Sequence, residues 1–161
     1  MIFVSTGSRK FQFDRLIKKL DELVAEGRIR EPVFAQIAET TYEPKHIEYK
    51  RYLTAEEFSH YQAEASLVIT HAGTGALIGA LKKAKPVIAV PRLARYGEHS
   101  DDHQTQVADA LASEGYLRVV MDMEDLGDVI DECYRNPITK LYDKPSNIVP
   151  MIEKQIDEWF K

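Results

Sequence analysis

Short apolar runs alternate with amphipathic stretches along most of the chain, and that alternation sets the expected fold. Ile2-Phe3-Val4-Ser5 is a continuous apolar run closed by Thr6-Gly7-Ser8, the pattern of a buried strand that ends in a tight loop. Phe13, Leu16, Ile17, Leu20, Leu23 and Val24 then recur at spacings of three and four, with Gly27 as a stop, which predicts a helix. Pro32 to Ile37 reads as a second strand, and Ile47 to Leu53 as a weaker third one among charges. Thr54-Ala55-Glu56-Glu57 has the Thr-x-x-Glu form of a capping box and opens a helix running to about Ala65.

Leu67-Val68-Ile69-Thr70 is the most hydrophobic strand. It passes through His71-Ala72-Gly73-Thr74-Gly75 into a helix ending near Ala84, and Pro86 to Val90 is the next strand. Asp101 or Asp102 caps a helix that stops at Gly115, Tyr116 to Met121 is a strand, and Met123 to Tyr134 a helix. Strands that are apolar on both faces and alternate with helices imply an α/β fold, a Rossmann-like parallel sheet covered on both sides. Residues 1–135 form this domain. Residues 136–161 begin with a proline-rich connection and end in a helix with Ile152, Ile156, Trp159 and Phe160 on one stripe, which packs on the domain or docks a partner.

A length of 161 residues fits one domain. With 21 Lys and Arg against 26 Asp and Glu, the formal net charge is -5, so nucleic acid is not an expected partner. Cys133 is the single cysteine, without a disulfide partner, which points to a reducing compartment. No run of about 18 apolar residues occurs. The expected location is therefore cytoplasmic, with membrane contact only through a partner.

In an open parallel sheet, ligands gather outside the carboxyl ends of the strands, where helix N-termini also point. Three loops occupy that edge: Thr6 to Lys10, His71 to Ala76, and the long Pro91 to Gln104. Gly73 and Gly75 lack a Cβ, and the helix after them offers free N–H groups and the positive end of its dipole, a geometry that suits a diphosphate. The spacing is not that of the dinucleotide fingerprint. His99, Asp101, Asp102 and His103 are too close in sequence to converge on one ion, so no metal is expected. Arg92 and Arg95 serve equally as anion contacts or as solvated surface. His71 fits a base, a donor to phosphate, or a satisfied structural donor. No nucleophile elbow is present.

Thr70-His71-Ala72-Gly73-Thr74-Gly75, then Lys85 to Arg92, then Tyr96-Gly97-Glu98-His99 and Asp101-Asp102-His103-Gln104 together resemble the C-terminal domain of family 28 glycosyltransferases. Within that family the chain is similar to the single-domain subunits of two-component enzymes. These are the bacterial exopolysaccharide and capsule glucuronosyl- and galactosyltransferases, and the soluble subunit of the dolichol-linked N-acetylglucosaminyltransferase. The resemblance implies one half of a GT-B fold that binds a UDP-sugar without a metal cofactor. A membrane-anchored subunit would supply the other half and bind a lipid-linked saccharide acceptor. It implies that Gly7, Ser8, Gly73, Thr74 and Gly75 face the diphosphate and that His103 and Gln104 face the sugar. Where peptidoglycan relatives carry a ribose-binding glutamate, this chain has Gly79, and Glu98 is the expected substitute. His71 and His99 are the candidate catalytic residues, unless the base belongs to the other half. Two rival readings are a non-catalytic nucleotide-binding regulatory module and a small oxidoreductase. The missing Gly-x-Gly-x-x-Gly counts against the second.

Overall fold

Six parallel strands form one sheet in the order β3-β2-β1-β4-β5-β6, in a computed structural model that describes residues 1–7, 10–99 and 101–143, without the His103 side chain. The strands are β1 (Ile2–Ser5), β2 (Val33–Gln36), β3 (Glu48–Lys50), β4 (Leu67–His71), β5 (Val87–Val90) and β6 (Arg118–Val119). The helices are α1 (Asp14–Ala25), α2 (Ala55–Glu64), α3 (Thr74–Lys82), α4 (His103–Ser113) and α5 (Leu126–Arg135). Successive strand residues face opposite sides, so the sheet feeds two cores. Ile2, Val4, Ile69 and Ile88 meet Leu16, Ile17 and Leu20 of α1 and Leu126 and Ile130 of α5. Phe3, Val68, Val87 and Ala89 meet Leu77 and Leu81 of α3 and Val107 and Leu111 of α4. Each fully buried side chain of this size contributes roughly 1.5–3 kcal/mol. Phe34 lies flat on Tyr61 of α2, with ring centroids 4.1 Å apart, which holds α2 over the same face.

Among the described residues the expected elements form, with three main changes. The last strand pairs with β5 at Arg118 and Val119 alone, because Tyr116 and Leu117 turn into the core instead of continuing the ladder. The helix predicted over Met123 to Tyr134 divides into a 3-10 turn, Met123–Asp125, and α5. Asp102 occupies the N-cap position of α4 but does not cap it with its side chain, since its carboxylate instead accepts from the Ala94 amide at 2.9 Å. The capping box at α2 forms as expected between Thr54 and Glu57.

Helices α1, α3 and α4 end in the same way. In each, the residue after the C-cap takes a left-handed conformation while two amides turn back onto the last carbonyls, as with Ala84 to Leu81 and Lys85 to Ala80. Gly27 and Gly115 fill this position in α1 and α4, but α3 puts Ala84 there at φ 57°. A Cβ is disfavoured in this region by about 1–2 kcal/mol. Ala84→Gly is therefore expected to stabilise the fold by about 1 kcal/mol in urea denaturation, and a destabilised variant would contradict the helix-end geometry.

Two carboxylates on one face of α1 hold the connection between β2 and β3. Asp14 accepts from the amides of Thr41 (2.7 Å) and Tyr42 (3.2 Å). Asp21, buried, accepts from the Tyr42 hydroxyl at 2.6 Å and the His46 amide at 2.7 Å. Burial acts to raise the Asp21 carboxyl, but the Tyr42 hydroxyl and the His46 and Lys45 amides together hold it below its ordinary value. A carboxylate lowered on folding adds stability that is present above its unfolded value and lost as pH falls through its folded one. Asp21→Asn should flatten the urea midpoint against pH below about pH 4; parallel curves for both proteins would refute this.

Residues beyond α5 return across the amino end of the sheet: Tyr142 packs edge-on against Tyr116 at 5.2 Å, and Lys140 donates to the Glu114 carbonyl. The stripe Ile152, Ile156, Trp159 and Phe160 lies outside the described residues. Among those described, no helix is long and apolar enough to cross a membrane.

Candidate functional site

The strand order reverses direction between β1 and β4, which opens a crevice at their carboxyl ends. Both glycine loops leave the sheet there, from Ser5 on one side and His71 on the other. The loop after β1 is held from below: the Gly7 amide donates to Ser5 Oγ at 3.2 Å, and Gln36 donates through Nε2 to the Gly7 carbonyl at 3.2 Å. His71 occupies the space between the loops. A Cβ built on Gly7 would lie 2.7 Å from His71 Nε2, and one on Gly73 would lie 2.0 Å from Cε1. These two glycines therefore make room for the imidazole, a reason the sequence reading had not assigned to them.

Gly75 differs. It is exposed in the first turn of α3, and a Cβ there would meet nothing. Gly73, at the N-cap, provides no side-chain cap, so the helix presents its amino end and dipole to the same edge. Thr74 is the first residue of that helix, half-buried. Gly79, one turn further than Gly75 along α3, faces Gln62 of α2, whose Oε1 would be 3.3 Å from an added Cβ.

Arg92 is 1% exposed. Its guanidinium donates to the carbonyls of Phe11 at 2.9 Å, Gln12 at 3.3 Å, Glu98 at 3.1 Å, and Thr6. It ties the loop after β1 and the start of α1 to the loop after β5, so both sequence readings of Arg92, an anion contact or solvated surface, are corrected. Glu98 is also 1% exposed. One oxygen pairs with Arg15 Nε at 2.8 Å and the other accepts from the Leu93 amide at 3.0 Å. Its carboxylate is spent inside the loop, so the assigned ribose role does not fit. Gln104 is buried, with Oε1 accepting from the Arg92 amide at 3.1 Å and Nε2 facing His71 Nδ1 at 3.3 Å. A sugar contact from Gln104 would rest on its second amide proton.

Arg95 is exposed over the Tyr96 ring, 4.9 Å from its centroid, and remains accessible at the edge. His99 packs against Phe11 at 5.7 Å and lies 3.3 Å from Asp101. Ser8 and the His103 side chain lie outside the described residues. Sequence reasoning missed Arg15, which also donates to the carbonyls of Met121 and Pro91, both at 2.9 Å. Its only signal was a cation on the polar side of α1. A cleft of about 570 Å³ opens beside it, lined by Gln12, Arg95, Tyr96, Met121 and Met123 among others. A larger depression of about 710 Å³ lies at the amino edge of the sheet, where Arg28 is already paired with Asp128 and Asp131. Cys133 is buried, and burial pushes its thiol up, away from nucleophilic use. Among the described residues no cluster of three or more metal-ligating side chains forms.

A sheet in this order, with small-residue loops at the reversal point, is the Rossmann-like half of a GT-B glycosyltransferase fold. Residues 1–158 match the Glycosyltransferase family 28 C-terminal domain, and the chain belongs to that family. It is 29% identical over 102 residues to the UDP-N-acetylglucosamine transferase subunit ALG13 of Cryptococcus neoformans var. neoformans, a stretch covering 62% of this chain and 46% of that protein. The chain thus matches about half the length of that curated relative. The fold is shared with the solution NMR structure of an ALG13 (TM-score 0.60, 17% identity, covering 96% of this chain and 93% of that one). It is shared too with a crystal structure of the glycotransferase of kitacinnamycin (TM-score 0.62, 18% identity, covering 84% of this chain and 35% of that one).

Proposed function

We propose that the chain is the UDP-sugar-binding half of a two-component inverting glycosyltransferase. A membrane-anchored subunit would supply the acceptor half and present a lipid-linked saccharide. The observation that carries this is the amino end of α3, whose N-cap Gly73 brings no side-chain cap and whose first turn is open at Gly75 among the described residues, placed at the β1/β4 reversal within a GT-B half. In transfer, an acceptor hydroxyl gives its proton to a general base, supplied by the acceptor half or by His99, and attacks the anomeric carbon as the bond to UDP breaks and UDP leaves. The α3 dipole stabilises charge appearing on the departing diphosphate, which requires no metal ion in this step. The relative's printed name supports both the UDP-sugar donor and the status of a subunit. The resemblance read from the sequence extends the reading to a hexose or hexuronic acid, to exopolysaccharide or capsule synthesis, and to work at the cytoplasmic face of a membrane.

Calorimetric titration with UDP, NAD and ATP tests the donor site, with UDP expected to bind selectively. Gly75→Val adds a β-branched side chain where phosphate must approach, but meets no protein atom at its Cβ. It should weaken UDP by about tenfold or more, roughly 1.4 kcal/mol, with the unfolding midpoint little changed. Unchanged affinity in the folded variant would remove this loop from the site. UDP binding without transfer, in the presence of the acceptor subunit, would favour the regulatory module.

A further inference from the structure

We propose that the main-chain amide of Arg92, acting through Gln104, fixes His71 in the tautomer protonated on Nε2, so that His71 donates a hydrogen bond at the crevice and does not serve there as a base. Two contacts carry this. The Arg92 amide donates to Gln104 Oε1 at 3.1 Å in a buried position, and Gln104 Nε2 lies 3.3 Å from His71 Nδ1. A main-chain amide can only donate, so the atom of Gln104 that meets it is the carbonyl oxygen. The other end of the Gln104 amide is then the NH₂ group, which can only donate in turn. A neutral imidazole has one N–H and one lone pair. A donor opposite Nδ1 requires the lone pair at that atom and leaves the proton on Nε2.

The surroundings of the ring say where that proton points. Nε2 is the ring atom nearest to a Cβ built on Gly7, at 2.7 Å, while Cε1 is nearest to one built on Gly73. Cε1 and Cδ2 are nearly as close to that Gly7 position, at 3.0 and 3.1 Å, so the loop after β1 covers the ring face and the N–H runs in the ring plane beneath it. A donor phosphate oxygen lying in that plane would meet the N–H, whereas Nε2 offers no lone pair to an acceptor hydroxyl. Arg92 and Gln104 act as positioning residues, because they reach the reacting groups only through His71. Arg92 joins two tasks: its guanidinium holds the loops, and its amide starts the relay that orients the imidazole.

This inference rests on the donor-site reading only for what the Nε2 proton meets; the tautomer itself can be measured without ligand. The full chain, labelled with ¹⁵N-histidine, is placed at pH 8, and a long-range ¹⁵N–¹H correlation spectrum is recorded, with the His71 signals assigned by through-bond correlation to its own backbone. Nδ1 is expected at the position of an unprotonated nitrogen and Nε2 at that of a protonated one. Gln104→Glu presents only acceptors, so it should move the proton to Nδ1, exchange the two nitrogen positions, and lower UDP affinity at least tenfold. A wild-type His71 protonated on Nδ1, or a folded Gln104→Glu protein with the tautomer unchanged, overturns the relay. If the variant does not fold, the wild-type spectrum decides. UDP binding with the opposite tautomer refutes the relay and leaves the donor-site reading standing. The expected tautomer without UDP binding refutes that reading and leaves the relay.

Discussion

Arg92→Met is expected to cost at least about 4 kcal/mol. The substitution removes the guanidinium and leaves the buried carbonyls of Thr6 and Glu98, and the half-buried ones of Phe11 and Gln12, without this partner. Each buried polar group deprived of a partner costs about 1–3 kcal/mol. A domain of this size is stable by roughly 5–15 kcal/mol in total, so the variant should be partly unfolded at physiological temperature. Arg92→Lys keeps the charge but offers one nitrogen to acceptors spread over three stretches of chain, and should recover only part of the loss. Urea denaturation measures both. A loss below about 1 kcal/mol in Arg92→Met would show that the loops do not depend on this residue.

The second large effect is expected at Gly73. Its φ of -73° and ψ of 129° suit any residue, so Gly73→Ala brings no backbone strain. Its Cβ, however, would stand 2.0 Å from His71 Cε1, and the imidazole must leave its place. UDP affinity should fall by a factor of ten to a hundred, about 1.4–2.8 kcal/mol, while the urea midpoint moves much less. Calorimetry on the folded variant checks this. Wild-type affinity would place His71 outside the donor site.

The sheet was legible because its signals are local. The runs Ile2 to Ser5, Leu67 to Thr70 and Val87 to Val90 are apolar on both faces, and α1 repeats its apolar stripe at helical spacing. The positions of the two glycine loops follow from the strand ends. The roles of the polar residues in the long loop did not follow. Arg92, Glu98 and Gln104 belong to a stretch rich in polar residues, where polarity reads as surface. Their burial depends on contacts such as Arg92 to Thr6 and Arg15 to Glu98, more than 80 positions apart. No periodicity carries that information. Gly73 and Gly75 were read as close-approach positions, and Gly7 by resemblance as facing the diphosphate, but the group that crowds Gly7 and Gly73 within the protein is His71. The bounds of the predicted strand at Tyr116 to Met121 were misplaced for a similar reason: Tyr116 and Leu117 are drawn into the core between α3 and α4, which leaves only Arg118 and Val119 paired with Ile88 and Ala89 of β5.

The clamp made by Arg92 also bears on the order in which a growing chain acquires its parts. β1 is complete within the first few residues, yet it becomes the middle of the sheet, with β2 on one side and β4 on the other. An emerging polypeptide can pair β1 with β2, and later with β4, before residue 92 has been synthesised. The loop after β1 cannot receive its guanidinium until then. Addition of roughly 5–20 residues per second puts several seconds between the first strand and its clasp. During that interval the nascent protein holds part of a sheet but no finished crevice, so the capacity to grip a ligand arrives only after more than half of these 161 residues have been made.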